Sequence, residues 1–426
     1  MPEFGFARIV SQYCSRRLIV VPGSPPAGSG VRTLLVFNPD RFRGDLEILA
    51  QAGFRVVKMP FDISTRFWDF AYSAKDQPLA ANETSALLEK RLIYRTFLRY
   101  VLKHLFNRIR IDAVVSAAVH YRHDYDWGAA SVSLGIPFIV LHRENLVASN
   151  ASKQILFERM RSFRPFEGSH IVVHNAIMKD LFVRSGYAPA EKVTALGALR
   201  MDRWVKSEFS RRDSSRPTVA FFSFGPAAGV LAAPRPQWPS NEREFLYRFC
   251  RRSHVAILEL ARERPDIRVI VKPKWAGDWP DKLRAIWADA GYMTMPPNLA
   301  VDCEINAQAL IAASDVVVGF NSTVLLEAGM QGKPVVLPLF DEAATDTWKD
   351  SIMFHDDLHA FEVVDSPALL KARVSAFCSG EPIPMQRKQV ARQLFAKYVS
   401  TLEGGAVKGY VALISAIVDG NRWLSR

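Results

Sequence analysis

SDVVVGFNSTVLLEAGMQGKPVVLP, residues 314–338, decides how the rest of the chain is read. A short apolar run from Asp315 to Val318 stops at Gly319, and Val324 opens an apolar helix that carries a single acidic residue, Glu327. Gly319 permits a tight turn, and Asn321, Ser322 or Thr323 can cap the helix. A helix start behind a parallel strand presents free backbone N–H groups and the positive end of its dipole, and both stabilise phosphate. Glu327 falls four residues after Thr323, on the same helical face, where a carboxylate can accept two hydrogen bonds from the cis hydroxyls of a ribose. The competing reading is a plain capped helix with Glu327 in solvent. Leu325, Leu326 and Met330 speak against it, because they mark the helix as buried, and an unpaired carboxylate there costs several kcal/mol.

Outward from this stretch the chain alternates apolar runs with helical patterns. Strands are predicted over 33–37, 54–58, 111–117, 137–141, 171–173 and 192–196, and then over 218–222, 267–271, 315–318 and 335–337. Helices are predicted over 45–52, 87–110, 126–134, 176–185, 242–262, 279–290 and 306–313. Short apolar strands separated by helices imply parallel sheets covered on both faces. A polar, serine-rich stretch at 206–216 separates two such series, so the expected domains are 1–205 and 217–404, with 206–216 as linker. Residues 405–426 hold an apolar helical run long enough to cross back onto the first domain. Residues 225–240, rich in Pro and Gly, form a long loop after the first strand of the second domain, where open α/β sheets bind ligands.

Composition bounds the function. At 426 residues the chain exceeds a single core, and 49% hydrophobic with 23% charged residues is a globular balance. No apolar run reaches the roughly 18 to 20 residues of a membrane span, and no signal peptide is evident, so a cytoplasmic location is expected. Cys14, Cys250, Cys303 and Cys378 are too scattered for zinc or a disulfide framework. The formal charge of +12 predicts attraction to anions. Part of it lies in the helix 87–110, where Arg91, Arg95, Arg99 and Lys103 form a basic ridge and Leu88, Leu92, Leu98, Leu102 and Leu105 an apolar face. That ridge is either a solvated face or a contact with anionic lipid at the inner face of a membrane. A nucleic-acid-binding protein is not expected, since the aromatic residues sit mostly inside apolar runs.

The stretch 314–338 resembles the nucleotide-binding segment of the glycosyltransferase B-fold family. The likeness is strongest to the branch of bacterial surface-carbohydrate (capsule and lipopolysaccharide O-antigen) glycosyltransferases and non-hydrolysing UDP-N-acetylglucosamine 2-epimerases. GIPFIVLHREN (135–145), SHIVVHNAIMKDLFVRSG (169–186), VTALGALRMDRW (193–204) and IRVIVKPK (267–274) resemble other pieces of that fold in the same order. The resemblance implies an α/β protein of two Rossmann-like domains facing across a cleft. It also implies a nucleotide-sugar donor as substrate, contacted by Asn321, Ser322, Thr323 and Glu327, with Lys272 and Lys274 as counter-charges for the diphosphate. No cofactor and no metal is implied. The epimerases carry two adjacent glutamates where this chain has Leu326-Glu327, and an Arg where it has Pro338; polyol-phosphate transferases of the CDP-glycerol type place a His where Lys272-Pro273-Lys274 stands. Those departures favour a transferase acting on a glycan or lipid-linked acceptor over a 2-epimerase or a polyol-phosphate transferase.

A transferase that inverts its sugar needs a base for the acceptor hydroxyl. Two clusters follow first-domain strands: His120-Tyr121-Arg122-His123-Asp124-Tyr125-Asp126 and His142-Arg143-Glu144-Asn145. The resemblance places an acidic residue at Glu144, which makes it the first candidate, followed by Asp124 and His123; His142 and Arg143 are candidates for substrate contact. The spacing of His120, His123 and Asp124 could suit a metal, but no further ligand cluster supports it.

Overall fold

The computed structural model describes residues 3–28, 30–42, 44–206, 216–229, 245–273 and 277–424. The chain divides into two compact units. Unit 1 comprises Met1–Asn145, Leu156–Asp202 and Gly404–Arg426, and unit 2 comprises Leu146–Ile155 and Arg203–Glu403. Most of the expected linker, residues 207–215, lies outside the described residues, as do residues 230–244 of the long loop and of the helix predicted to start at 242.

Unit 1 is built on the strands β1 (Ile19–Val20), β2 (Thr33–Val36), β3 (Arg55–Lys58), β4 (Ala113–Ser116), β5 (Phe138–Leu141), β6 (His170–Val173) and β7 (Val193–Ala195). They lie side by side in the order β1-β3-β2-β4-β5-β6-β7. Every pairing is parallel except the edge pair β1/β3. Strands β2, β4, β5 and β6 are buried along their whole length, as their unbroken apolar runs require when helices cover both faces. The chain leaves β2 toward β3 on one side and returns to β4 on the other, so β2/β4 is the topological switch point.

The Ala406–Leu424 helix belongs to this unit. Tyr410, Ile414 and Val418 are buried in one cluster with Leu34, Val36, Leu46 and Val56. Each such side chain contributes about 1.5 to 3 kcal/mol. Asp202 caps the helix, its carboxylate accepting from the backbone N–H groups of Ala406 (3.0 Å) and Val407 (2.9 Å).

The basic ridge divides. In the Ser85–Phe106 helix the inward face carries Leu87, Arg91, Tyr94, Leu98, Val101, Leu102 and Leu105, while Leu88 and Leu92 are exposed. Arg91 turns in to Glu83, and Arg95 pairs with Asp126 at 2.6 Å and Glu167 at 2.7 Å; Arg99 and Lys103 remain in solvent. Two of the four charges read as a ridge are therefore neutralised inside the fold. Among the described residues no helix is long and apolar enough to cross a membrane.

Unit 2 holds β8 (Thr218–Phe222), β9 (Arg268–Lys272), β10 (Leu299–Val301), β11 (Val316–Gly319), β12 (Val335–Pro338) and β13 (Glu362–Val364). Their order is β10-β9-β8-β11-β12-β13, all parallel. This is the strand order of dinucleotide-binding sheets, with the switch point between β8 and β11.

Candidate active site

In unit 2 the loop after β11 meets the loop after β8. Asn321 adopts φ 46°, a left-handed conformation that asparagine tolerates. Its carboxamide nitrogen donates to the carbonyl of Ala228 (2.9 Å) and to that of Ser351 (3.2 Å), and its oxygen accepts from the Met353 N–H (2.8 Å). Asn321 thus laces three loops at the switch point and does not cap the helix. Thr323 occupies the N-cap position of the Val324–Met330 helix in helical conformation with no side-chain cap, and Ser322 Oγ accepts only a long 3.4 Å contact from Val324 N–H. The capping expected of these residues is therefore replaced by loop lacing.

Glu327 is 2% exposed, and its Oε2 accepts from Gln308 Nε2 at 2.7 Å. The carboxylate is polar-partnered inside the unit, and its backbone carbonyl accepts from Trp204 Nε1 at 2.9 Å. Lys272, at the end of β9, gives one N–H to the Cys303 carbonyl (3.0 Å). Lys274 lies outside the described residues. Beside them a fully partnered relay fixes the end of β8. Trp279 Nε1 donates to Ser223 Oγ (2.7 Å), Ser223 donates to His254 Nε2 (2.8 Å), and His254 Nδ1 donates to the Cys250 carbonyl (2.7 Å). Burial holds the His254 pKa down to about 4, so the ring is neutral and keeps this tautomer.

In unit 1 the loops after β4 and β5 assemble a second cluster. Glu144 Oε1 accepts from the Tyr121 hydroxyl (3.0 Å) and Oε2 pairs with His120 Nε2 (3.1 Å). The hydrogen bond from His120 is the main reason that the Glu144 pKa falls to about 2. A carboxylate held that low is a weak base by itself. His120 was read from sequence as a member of the cluster after β4 and of a three-residue metal spacing; its pairing with Glu144, 24 residues away in the chain, carries no local signal.

The other first-unit candidates are placed differently. Asp124 is 1% exposed, with Oδ2 accepting from Ser116 Oγ (2.8 Å) and burial pushing its pKa up to about 7. It sits in the first turn of the Arg122–Val132 helix, which begins four residues before the predicted start at 126 and turns Asp124 inward. His123 packs edge-on against Phe61 (5.5 Å between ring centres) and Trp68 (5.1 Å). His120, His123 and Asp124 thus have separate partners and do not converge. His142 is 2% exposed, its pKa pushed down to about 3 by burial, and it packs edge-on behind His120; it supports that ring and offers no surface to a substrate. Arg143 is committed to buried Asp45 at 3.0 Å, which replaces the substrate clamp expected of it.

A cleft of about 450 Å³ opens beside this cluster, lined by Asn38 and Arg41 after β2 and by His120, Tyr121, Arg122 and His123 after β4. It occupies the switch point of the unit 1 sheet, where doubly wound folds bind ligands.

Comparison with solved structures places this architecture. A crystal structure from Listeria monocytogenes assigned as a UDP-N-acetylglucosamine 2-epimerase superimposes with a TM-score of 0.54 at 12% identity, over 92% of this chain and 98% of that one. The fold is the glycosyltransferase B fold. The wall teichoic acid polymerase TagF shares it, with a TM-score of 0.52 at 11% identity over 97% of this chain and 93% of that one. No protein-family model matches the chain, and no curated protein matches it in sequence. At these identities the glycosyltransferase B fold is what the likeness shows, and the chemistry has to come from the residues above.

Proposed function

We propose that the protein is a glycosyltransferase: unit 2 binds a nucleotide-sugar donor, and unit 1 binds a glycan or lipid-linked acceptor of a growing surface polysaccharide. The observation that carries this reading is the His120–Glu144–Tyr121 cluster, set beside a cleft large enough for a saccharide at the switch point of unit 1. A transferase that inverts its sugar needs a proton acceptor next to a second ligand. In the proposed reaction the acceptor hydroxyl oxygen bonds to the anomeric carbon, the bond from that carbon to the nucleoside diphosphate breaks, and the hydroxyl proton passes to the His120–Glu144 pair. The departing diphosphate takes its stabilisation from Ser322, Thr323 and the remaining N–H groups of Lys272, without a metal. Glu327 is the proposed ribose contact, which requires ribose hydroxyls to compete with Gln308 for its carboxylate.

Two exposed features support work at a membrane face. The Glu3–Arg17 helix and the Ser85–Phe106 helix pack together, with Phe6 stacked on Phe97 at 6.2 Å, and leave Ile9 and Ile93 64% exposed, while Arg99 and Lys103 of the second helix are exposed as well. Apolar side chains among basic ones suit anionic headgroups.

The test is a thermal-shift panel of UDP, GDP, CMP, CDP and ADP, followed by turnover of the matching nucleotide sugar with and without a glycan acceptor. Acceptor-dependent release of the nucleotide supports the transferase. Conversion of the donor sugar with no acceptor present would establish an epimerase instead.

A further inference from the structure

The unit 1 cleft has an electrostatic character that a neutral glycan would not call for. Three arginines line it, Arg41, Arg122 and Arg159. Each lies over an aromatic ring: Arg41 over Tyr121 at 5.8 Å, Arg122 over Trp68 at 4.1 Å, and Arg159 over Phe163 at 5.8 Å. Elsewhere in the same unit, Arg91, Arg95, Arg143 and Arg164 are all tied to carboxylates. Among the described residues no carboxylate pairs with the three in the cleft, and the neighbouring Glu144 is already held by His120 and Tyr121. A ring face orients a guanidinium but does not cancel its charge, and leaves its forked N–H donors free for an oxyanion. The Arg122–Val132 helix starts at the same cleft, and its N-cap residue, Tyr121, supplies no side-chain cap, so the helix adds its positive end to the same place. Phe61, Tyr121 and Phe163 supply apolar ring faces along the walls.

We infer that this cleft binds a phosphorylated saccharide, with the phosphate read by Arg41 and Arg122 and the sugar ring laid against the aromatic wall. That this ligand is the acceptor rests on the transferase reading; its binding does not. A sugar phosphate and a diphospholipid-linked sugar present the same chemistry, a sugar carrying an anionic phosphate ester.

The experiment uses the full chain and measures binding of glucose 1-phosphate, methyl glucoside and inorganic phosphate by calorimetry. A diphospholipid-linked monosaccharide in detergent forms a separate arm. Glucose 1-phosphate or the lipid-linked sugar is expected to bind at least tenfold tighter than methyl glucoside and than phosphate alone, and the preference over methyl glucoside should fall about threefold in Arg41→Gln. Arg41 is exposed, so its replacement leaves the core intact; Arg41→Gln/Arg122→Gln should abolish the preference. Binding in the lipid arm alone assigns the source to lipid, and binding in both arms assigns it to the shared phosphosugar. Equal affinity for methyl glucoside, equal affinity for bare phosphate, or a preference untouched in Arg41→Gln overturns the inference. The nucleotide panel runs in parallel. Nucleotide stabilisation without phosphosugar binding removes this inference alone, and phosphosugar binding without nucleotide stabilisation removes the transferase reading alone.

Discussion

The carboxamide nitrogen of Asn321 stands 2.1 Å from where a β-carbon on Gly229 would fall. Since that side chain is held by Ala228, Ser351 and Met353, it cannot swing away, and Gly229 itself sits at φ +79°. Gly229→Ala is therefore expected to cost about 1 to 3 kcal/mol and to erase nucleotide stabilisation. Urea midpoints and the thermal shift check it; a variant as stable as the wild type with normal nucleotide response would show that the lacing is dispensable.

Glu327→Gln keeps the shape of the buried side chain while removing its charge. Nucleotide affinity should drop tenfold or more, with stability changed by less than about 1 kcal/mol. Equal losses of both would mark Glu327 as a packing residue only.

Glu144→Gln removes the carboxylate that pairs with His120 Nε2 and accepts from the Tyr121 hydroxyl. Transfer should slow by roughly a hundredfold or more while nucleotide binding is kept. Because the Glu144 pKa is near 2, its carboxylate stays ionised down to strongly acidic pH, and no loss of rate between pH 4 and 5 should come from it. An unimpaired rate in the variant would remove the pair from the mechanism.

Asp124 gives a pH signature in stability. Its folded pKa, about 7, lies above the ordinary 3.8, so its contribution is fully present below pH 3.8 and is lost as pH rises toward 7. The size of the loss is on the order of 4 kcal/mol across that window. Asp124→Asn cannot ionise and should gain on the wild type between pH 4 and pH 7.5 in urea unfolding. Parallel curves for the two proteins would contradict the buried, protonated carboxyl.

Arg143→Met should act on stability and not on substrate affinity. It leaves Asp45, 3% exposed, without its 3.0 Å partner, at a cost of about 3 to 5 kcal/mol. A large rise in KM with unchanged unfolding would restore Arg143 to the substrate.

The strands were legible because Val316–Gly319 and its counterparts are continuous apolar runs, and a parallel sheet leaves such runs few alternatives. The edges were not. Ile19–Val20 pairs antiparallel over two residues, and Glu362–Val364 is only three residues long. The helix at Arg122 was read late because its first turns, Arg-His-Asp-Tyr-Asp, are polar, and their partners Trp68, Ser116 and Arg95 lie on other elements. Distance along the chain hid the pairing of Arg95 with Asp126 and the commitment of Arg143 to Asp45, whereas Arg91 turns to Glu83 just ahead of its own helix. A basic residue shows its charge in sequence but not the acid that meets it. Glu144 was visible as an acidic residue after a strand, whereas its dependence on His120 was visible only once β4 and β5 lay side by side.

The Ala406–Leu424 helix has a consequence for biosynthesis. A ribosome releases the whole of unit 2 before it releases the segment that covers Leu34, Val36, Leu46 and Val56 and satisfies Asp202. Most of unit 1 is thus translated before unit 2 and completed after it. Until the final turns emerge, its apolar floor stays open, and every truncated or stalled chain presents to chaperones and proteases a surface that the finished protein never shows.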